Sequence, residues 1–423
     1  MIIYQVFPTL LGPFTKWGAH LERAAAMGFD WIFVNPVQRP GGSGSLYSIA
    51  DYFDLNPLLI DPTSGLAPTE QLAQMVARAN ELGLKVMVDL VINHTAYDSP
   101  LVAEHPEWYV SENGKIANPS AMEDGRQVFW RDLAKLDWKH TRDRAGLYEY
   151  FHGVVEWLMK LGFKGFRCDA AYQVPQDVWR GLIEQARRED PDVVFTAETL
   201  GNTPDQTVET AEAGFDYIFN SSKWWDFQSH WLIEQYNLTR ATCPSISFPE
   251  SHDTERVATE GKSPESTLRQ RYLFAALFSG GVLMPIGYEF GFRRRLHVVE
   301  TRSEHWESSQ LDLTDFISRT NAVKRTYAVF QEDAPTHVLQ HRQNDNILVL
   351  WKGSTTSRPR EALIVLNKDP DRRNYFRVDR LRDLVQSGRP LVCVSPDNPM
   401  DHLPEPFEYD MRPGEGLVFV TER

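Results

Sequence analysis

Cysteine is scarce in this chain: Cys168, Cys243 and Cys393 are the only three in 423 residues. The number is odd and no two form a CxxC pair, so neither a disulfide framework nor a Cys-ligated metal site is expected. Reduced thiols in a cytoplasmic protein are. Cationic charge is also short, 44 Lys and Arg against 58 Asp and Glu, for a formal net charge of −14. So acidic a chain repels a phosphate backbone, which excludes nucleic acid as an expected partner. No apolar run is long enough to span a bilayer, so no membrane partner is expected. No basic segment with a small-residue cleavage site precedes the apolar start Ile2-Ile3-Tyr4-Gln5-Val6-Phe7, and no signal peptide is expected. Low-complexity tracts and solenoid repeats are missing, and the sequence carries no signal of oligomeric state.

What is present is a recurring unit: a short apolar run, then a longer amphipathic stretch. The runs 2–7, 31–37, 85–91, 165–169, 193–199, 216–220, 245–253 and 282–288 are apolar and β-branched or aromatic, as strands buried on both faces are. Helical stretches at 17–27, 68–82 and 147–161 are each followed by a glycine (Gly28, Gly83, Gly162), the usual left-handed cap. Those at 175–188 and 264–279 begin at a proline, which suits a first helical turn. Eight β-then-α units predict an α/β fold, a (β/α)8 TIM barrel, with a doubly wound open sheet as the alternative. Residues 94–143 show no periodicity and read as a loop subdomain after strand 3. Beyond residue 330 short strands separated by turns (338–340, 347–352, 362–367, 375–378, 391–394, 416–420) predict a C-terminal antiparallel β-sandwich domain. The expected division is therefore barrel 1–93, loop subdomain 94–143, barrel 144–330 and β-domain 331–423.

Barrel enzymes carry their reactive groups at the C-terminal ends of strands. Here the third strand runs Val88-Asp89-Leu90-Val91-Ile92-Asn93-His94, the fourth ends Phe166-Arg167-Cys168-Asp169, the fifth Thr196-Ala197-Glu198-Thr199 and the seventh Glu250-Ser251-His252-Asp253. Charged groups beside buried strands are costly unless paired or used. Taken singly, Arg167 and Asp169 read as a structural ion pair, Asp89 as a loop support, and His94 and His252 as core histidines. Four such ends, on the third, fourth, fifth and seventh strands, point to an active site. The fourth and fifth strands are neighbours about 4.8 Å apart. Two carboxyl groups there meet the separation of about 5–5.5 Å that a retaining glycosidase needs.

These segments resemble the four sequence regions of the α-amylase superfamily, glycoside hydrolase family 13, in that family's order. A fifth segment, Tyr47-Ser-Ile-Ala-Asp51-Tyr52, resembles the stretch after its second strand. The resemblance implies a retaining enzyme acting on α-1,4-linked glucans or maltooligosaccharides. In it Asp169 is the nucleophile, Glu198 the acid/base, and Asp253 the residue that favours the distorted sugar. Tyr47, Asp89, His94, Arg167 and His252 are the implied substrate-binding residues. No cofactor is required by this reading. Calcium is the one candidate ion, because Asn93 matches a position that binds it in many members, with Glu123, Asp124 and Asp137 as nearby acids. The 12 tryptophans offer sugar-stacking faces, and Trp108, Tyr109, Trp130, Trp138, Trp224 and Trp225 stand in or beside the expected site loops, with core packing as the alternative for each. A second resemblance, at His105-Pro106-Glu107-Trp108-Tyr109, 179–183, Asp190-Pro-Asp-Val-Val-Phe and Leu366-Asn367-Lys-Asp-Pro370, is to the branch that transfers maltosyl groups from maltose 1-phosphate. There Arg293-Arg294-Arg295 would meet a phosphate. Ala170 in place of that branch's Asn, and the presence of His252, weigh against it. A 4-α-glucanotransferase and a non-catalytic structural relative complete the alternatives.

Overall fold

The structure, a computed structural model, describes residues 1–123, 126–339, 344–354 and 361–422. Eight parallel strands close into a barrel: β1 Ile2–Val6, β2 Trp31–Val34, β3 Lys85–Leu90, β4 Gly165–Cys168, β5 Val194–Ala197, β6 Tyr217–Phe219, β7 Ser245–Ser247 and β8 Gly281–Pro285. Each lies beside its sequence neighbours, and β1 pairs with β8 to close the ring. The open doubly wound sheet is excluded. Helices α1 Gly18–Ala26, α2 Pro68–Glu81, α3 Arg144–Lys160, α4 Gln176–Glu189, α5 Pro204–Ala211, α6 Trp231–Thr239, α7 Pro264–Phe278 and α8 Thr314–Thr326 follow the strands in turn.

The strands read as unbroken apolar runs because both their faces are covered. Ile3, Trp31, Phe33, Met87, Phe219, Ile246, Phe248 and Leu283 fill the barrel interior, while residues such as Ile2, Val86, Phe166 and Val282 face the helices. Two glycines make room inside. A Cβ on Gly165 would stand 2.9 Å from the Trp31 ring, and one on Gly281 would stand 2.6 Å from Ile246 Cγ1.

Two excursions interrupt the alternation at the C-terminal face. After β2, Gln38–Pro40 pairs with Ile49–Leu55 in a hairpin whose loop carries Tyr47. After β3 the expected loop is in fact a set of short antiparallel pairs: His94–Ala96 with Leu133–Lys135, Ser111–Glu112 with Lys115–Ile116, and Ser120–Glu123 with Arg126–Phe129. Strands of two to four residues are too short to register as a period in sequence, which is why the segment reads as irregular. Trp108, Tyr109 and Trp138 are buried there. Trp138 donates to the Ile92 carbonyl at 2.6 Å and so pins the excursion to the end of β3.

The C-terminal unit has strands β9 Thr336–Leu339, β10 Ile347–Gly353, β11 Glu361–Asn367, β12 Asn374–Val378, β13 Leu391–Cys393, β14 Phe407–Met411 and β15 Gly416–Thr421. Five of them form an antiparallel sheet in the order β9-β10-β11-β15-β13, and β12 pairs with β14. Val365, Phe376, Phe407 and Phe419 share one core between the two sheets. Gln340, at the end of the first strand expected here, lies outside the described residues.

One buried carboxylate ties the bottom of the barrel to the chain that leads into this unit. Asp333 accepts from Ser245 N (2.8 Å) and Ser245 Oγ (2.7 Å) at the start of β7, and from Gly280 N (2.6 Å) before β8. Replacing Asp333 with Ala strands these buried donors. The expected cost is about 3 kcal/mol of unfolding free energy; a denaturant midpoint equal to that of the parent protein would contradict it.

Candidate active site

The strand ends bring the polar residues together at the barrel mouth. Arg167 on β4 donates through Nη1 to Asp89 Oδ1 on β3 and to Asp169 Oδ1 just past β4, each at 2.8 Å. Asp89 has no exposed surface, and its other oxygen accepts from the Tyr47 hydroxyl at 2.6 Å. Glu198 follows β5 directly and is gripped by two backbone amides, Ala170 N to Oε2 at 2.9 Å and Leu200 N to Oε1 at 2.6 Å. Pairing of β4 with β5, Cys168 opposite Ala197, sets Asp169 beside Glu198. Ala170 adopts a left-handed conformation, φ 39° and ψ 49°, a strained geometry for a residue with a Cβ. That turn aims its amide at Glu198 instead of continuing the strand. His94 is buried, and its Nε2 lies 3.1 Å from the Tyr47 carbonyl.

His252 and Asp253 lie well beyond β7, which ends at Ser247. The acid nearer the strand, Glu250, is turned away from the site: it is fully buried against Arg256 Nη1 at 2.7 Å and Val257 N at 2.6 Å. Its presence in the strand-end motif therefore reflects loop anchoring. Asp253, by contrast, is exposed and 3.1 Å from His252 Nε2. Its carbonyl accepts from Arg295 Nη2 at 2.8 Å.

Two residues that the motifs do not contain hold this cluster from below. Gln5 on β1 donates through Nε2 to Asn35 Oδ1 at 2.9 Å and contacts His252 Nδ1 at 2.8 Å, and Asn35 Nδ2 donates to the Tyr47 hydroxyl at 2.9 Å. The signal was a polar side chain within or at the end of an otherwise apolar strand, in Ile3-Tyr4-Gln5-Val6 and Phe33-Val34-Asn35.

The electrostatics divide the carboxyl groups. Burial, more than the neighbouring charges, pushes Glu198 up to about 7; Arg167 opposes this, and Asp169 and Asp253 add to it. The neighbouring carboxylates come second to desolvation. Burial also pushes Asp89 up to about 7, against Arg167 and the Tyr47 hydroxyl, which favour its anion. Burial lowers His252, with Asp253 opposing, so the ring is neutral.

Among the described residues, no group of His, Cys, Asp and Glu ligands gathers around Asn93. Its Oδ1 is buried and unpartnered among the described residues, but one amide oxygen falls far short of the six to eight that calcium takes. Asp137 is engaged with His140 N at 2.8 Å, and Asp143 with Trp108 Nε1 and Gly146 N, both at 3.0 Å. Asp124 and the side chain of Glu123 lie outside the described residues. All three arginines of the basic run are exposed; Arg293 donates to the Ala258 carbonyl and Arg295 to the Asp253 carbonyl, both at 2.8 Å, and Arg294 is held through its backbone N to Glu307 at 2.7 Å.

Gln5 can only donate through Nε2, so His252 Nδ1 is the acceptor and the ring proton sits on Nε2, facing Tyr47 and Asp253. The expected 15N spectrum shows His252 as the neutral Nε2–H tautomer at pH 7.5. A protonated Nδ1 at that pH would overturn the assignment.

The model of the glucanotransferase domain of glycogen debranching enzyme matches residues 1–115. An α-1,4-glucan:maltose-1-phosphate maltosyltransferase from Burkholderia pseudomallei is 28% identical over 380 residues, covering 87% of this chain and 33% of that protein. Another bearing the same name, from Arcanobacterium haemolyticum, is 31% identical over 253 residues, covering 55% of this chain and 33% of the relative. This chain thus spans about a third of the length of either. Among solved structures, an α-amylase from H. orenii superposes with a TM-score of 0.79 at 16% identity, over 100% of this chain and 99% of that one. The closed barrel and the C-terminal β-domain are thus the fold of that α-amylase structure, and the sequence is similar to the maltosyltransferases and, over residues 1–115, to the glucanotransferase domain model.

Proposed function

We propose that the chain is a retaining α-glycoside-active enzyme of the α-amylase type, cleaving α-1,4-linked glucans or maltooligosaccharides and passing the glycosyl group to water or to a sugar hydroxyl. The observation that carries this reading is the pair at the ends of β4 and β5. Asp169 accepts from a buried guanidinium at 2.8 Å, while Glu198 is raised to about 7 and so holds a proton near neutrality. Asp169 attacks the anomeric carbon as the bond to the leaving oxygen breaks, and the Glu198 proton goes to that oxygen. Glu198 then takes a proton from the incoming hydroxyl, which displaces Asp169. Asp253, exposed at the mouth, holds hydroxyls of the distorted sugar, and Tyr47, His94 and His252 shape the pocket beneath it. Asp89 has no free surface; its part is to hold Tyr47 and Arg167 in place.

Maltosyl transfer from maltose 1-phosphate is the second reading. The names of the relatives favour it, as does the exposed Arg294 in the loop after β8. Ala170 and His252 are the departures from that branch.

Proton NMR of the reaction with maltoheptaose tests the first reading. An α-anomer is expected as the first product, and a β-anomer would sink the proposal. New reducing ends mean hydrolysis, and a ladder without them means transfer. Silence with maltoheptaose, together with phosphate release and chain extension from maltose 1-phosphate, would install the second reading. Glu198→Gln is expected to lose about 10²–10⁴-fold in kcat/KM.

The pH dependence has a definite sign. Glu198 must be protonated to act first as an acid, so kcat/KM is expected to fall as pH rises through about 7. The same raised value makes the stability contribution of the Glu198 proton full below the ordinary carboxyl range and lost as pH rises through about 7. A kcat/KM profile flat from pH 6 to 9 would contradict the assignment of Glu198.

A further inference from the structure

The loop after β6 carries adjacent tryptophans with opposite fates. Trp225 is fully buried, with its ring against Phe274 at 5.1 Å and its Nε1 donating to the Ser229 carbonyl at 2.7 Å. Trp224 is 53% exposed. Yet nothing about its setting is loose. Ser222 N donates to Asn220 Oδ1 at 3.1 Å, and Ser222 Oγ accepts from Phe248 N at 3.0 Å. Lys223 is buried and paired with Glu260. The Trp224 ring stands edge-on to Phe248 at 6.0 Å and 89°. Phe248 in turn lines the small cavity that Arg167, Glu198, His252 and Asp253 also line. A large apolar ring held rigid in water at the edge of a polar site pays little entropy to bind a flat partner.

Position selects the partner. β6 lies between β5, whose end carries Glu198, and β7, whose loop carries Asp253. Tyr47 and His94 converge from the opposite side of the ring, on the loops after β2 and β3. Glu198 must face the leaving oxygen, so the sugar that departs, or the one that arrives to replace it, extends over the β5–β6 side. We infer that Trp224 is a stacking platform for the acceptor sugar and so biases the enzyme between transfer and hydrolysis. This rests on the reading of the site given above.

The test is calorimetric and kinetic. In an Asp169→Asn background, which leaves the oligosaccharide intact, Trp224→Ala is expected to weaken maltotetraose binding about tenfold and Trp224→Phe by much less. In the Asp169 enzyme, Trp224→Ala is expected to raise the KM for a maltose acceptor about tenfold and the KM for the donor by less than twofold. Tyr375→Ala, an exposed aromatic on β12 of the C-terminal unit, serves as the control and is expected to change none of these. Thermal melts of each variant report folding. Parent-like binding and acceptor KM in Trp224→Ala would overturn the platform while leaving the glycosidase reading intact. Equal rises in donor and acceptor KM would overturn its assignment to the acceptor. A parent protein that binds no maltooligosaccharide would bring down both readings together.

Discussion

A single buried cation organises the mouth of this barrel. Removing a guanidinium from water is costly, and an isolated one is not tolerated. Arg167 is held because Asp89 and Asp169 flank it at equal distance, one on the strand before and one just past its own strand end. Arg167 ties three residues of two neighbouring strands into one rigid unit. It also marks a difference between the carboxyl groups: Asp169 is bonded to the cation directly, while Glu198 is held by backbone amides and pushed upward by burial.

The remaining polar residues hang from that unit. Asp89 spends its second oxygen on Tyr47, Tyr47 accepts from Asn35, Asn35 accepts from Gln5, and Gln5 contacts His252. The chain of bonds runs through the first, second and third strands to the loop after the seventh. It explains why loops of very different length deliver side chains to one place. The Tyr47 hairpin and the His252 loop are set by bonds to the barrel floor, and their own backbones need little intrinsic stiffness. Asp253 alone is left exposed, with its backbone clipped to Arg295, as suits a side chain that meets a sugar from above.

Much of this was legible in sequence because a parallel barrel writes its strands as apolar runs and its site as the polar interruptions at their ends. Each of the eight runs holds one barrel strand, although the run 245–253 is a strand only over Ser245–Ser247, and the eight residues singled out stand at or around the barrel mouth. The excursion after β3 was not legible, since pairs of two to four residues leave no period. Helices α5, α6 and α8 went unread: α5 has two turns, and α6 carries apolar residues around most of its surface. Glu250 misleads for a physical reason, as a buried acid paired with a loop arginine looks the same in sequence as one aimed at a ligand. Gln5 and Asn35 were visible but unclaimed, because a lone amide in an apolar strand has many explanations until its partners are known. Trp224 and Trp225 make the same point, since adjacent identical residues are separated only by the direction each side chain takes.

The similarity to maltosyltransferases and the closeness in fold to amylases are two sides of one energetic fact. Hydrolysis and transfer share the nucleophile, the acid and the covalent intermediate, and differ only in which hydroxyl arrives. A tenfold preference is about 1.4 kcal/mol, the size of one stacked ring or one hydrogen bond. The carboxylates and their cation are therefore not where the choice is made. On the proposed reading it lies in the loops beyond β4, β6 and β8, where Ala170 follows Asp169, Trp224 faces water and Arg294 stands exposed. The loops after β6 and β8 are bonded to the loop after β7, through Lys223 to Glu260, Arg293 to the Ala258 carbonyl and Arg295 to the Asp253 carbonyl, so a change in one rim is felt in the next while Arg167, Asn35 and Gln5 hold the floor.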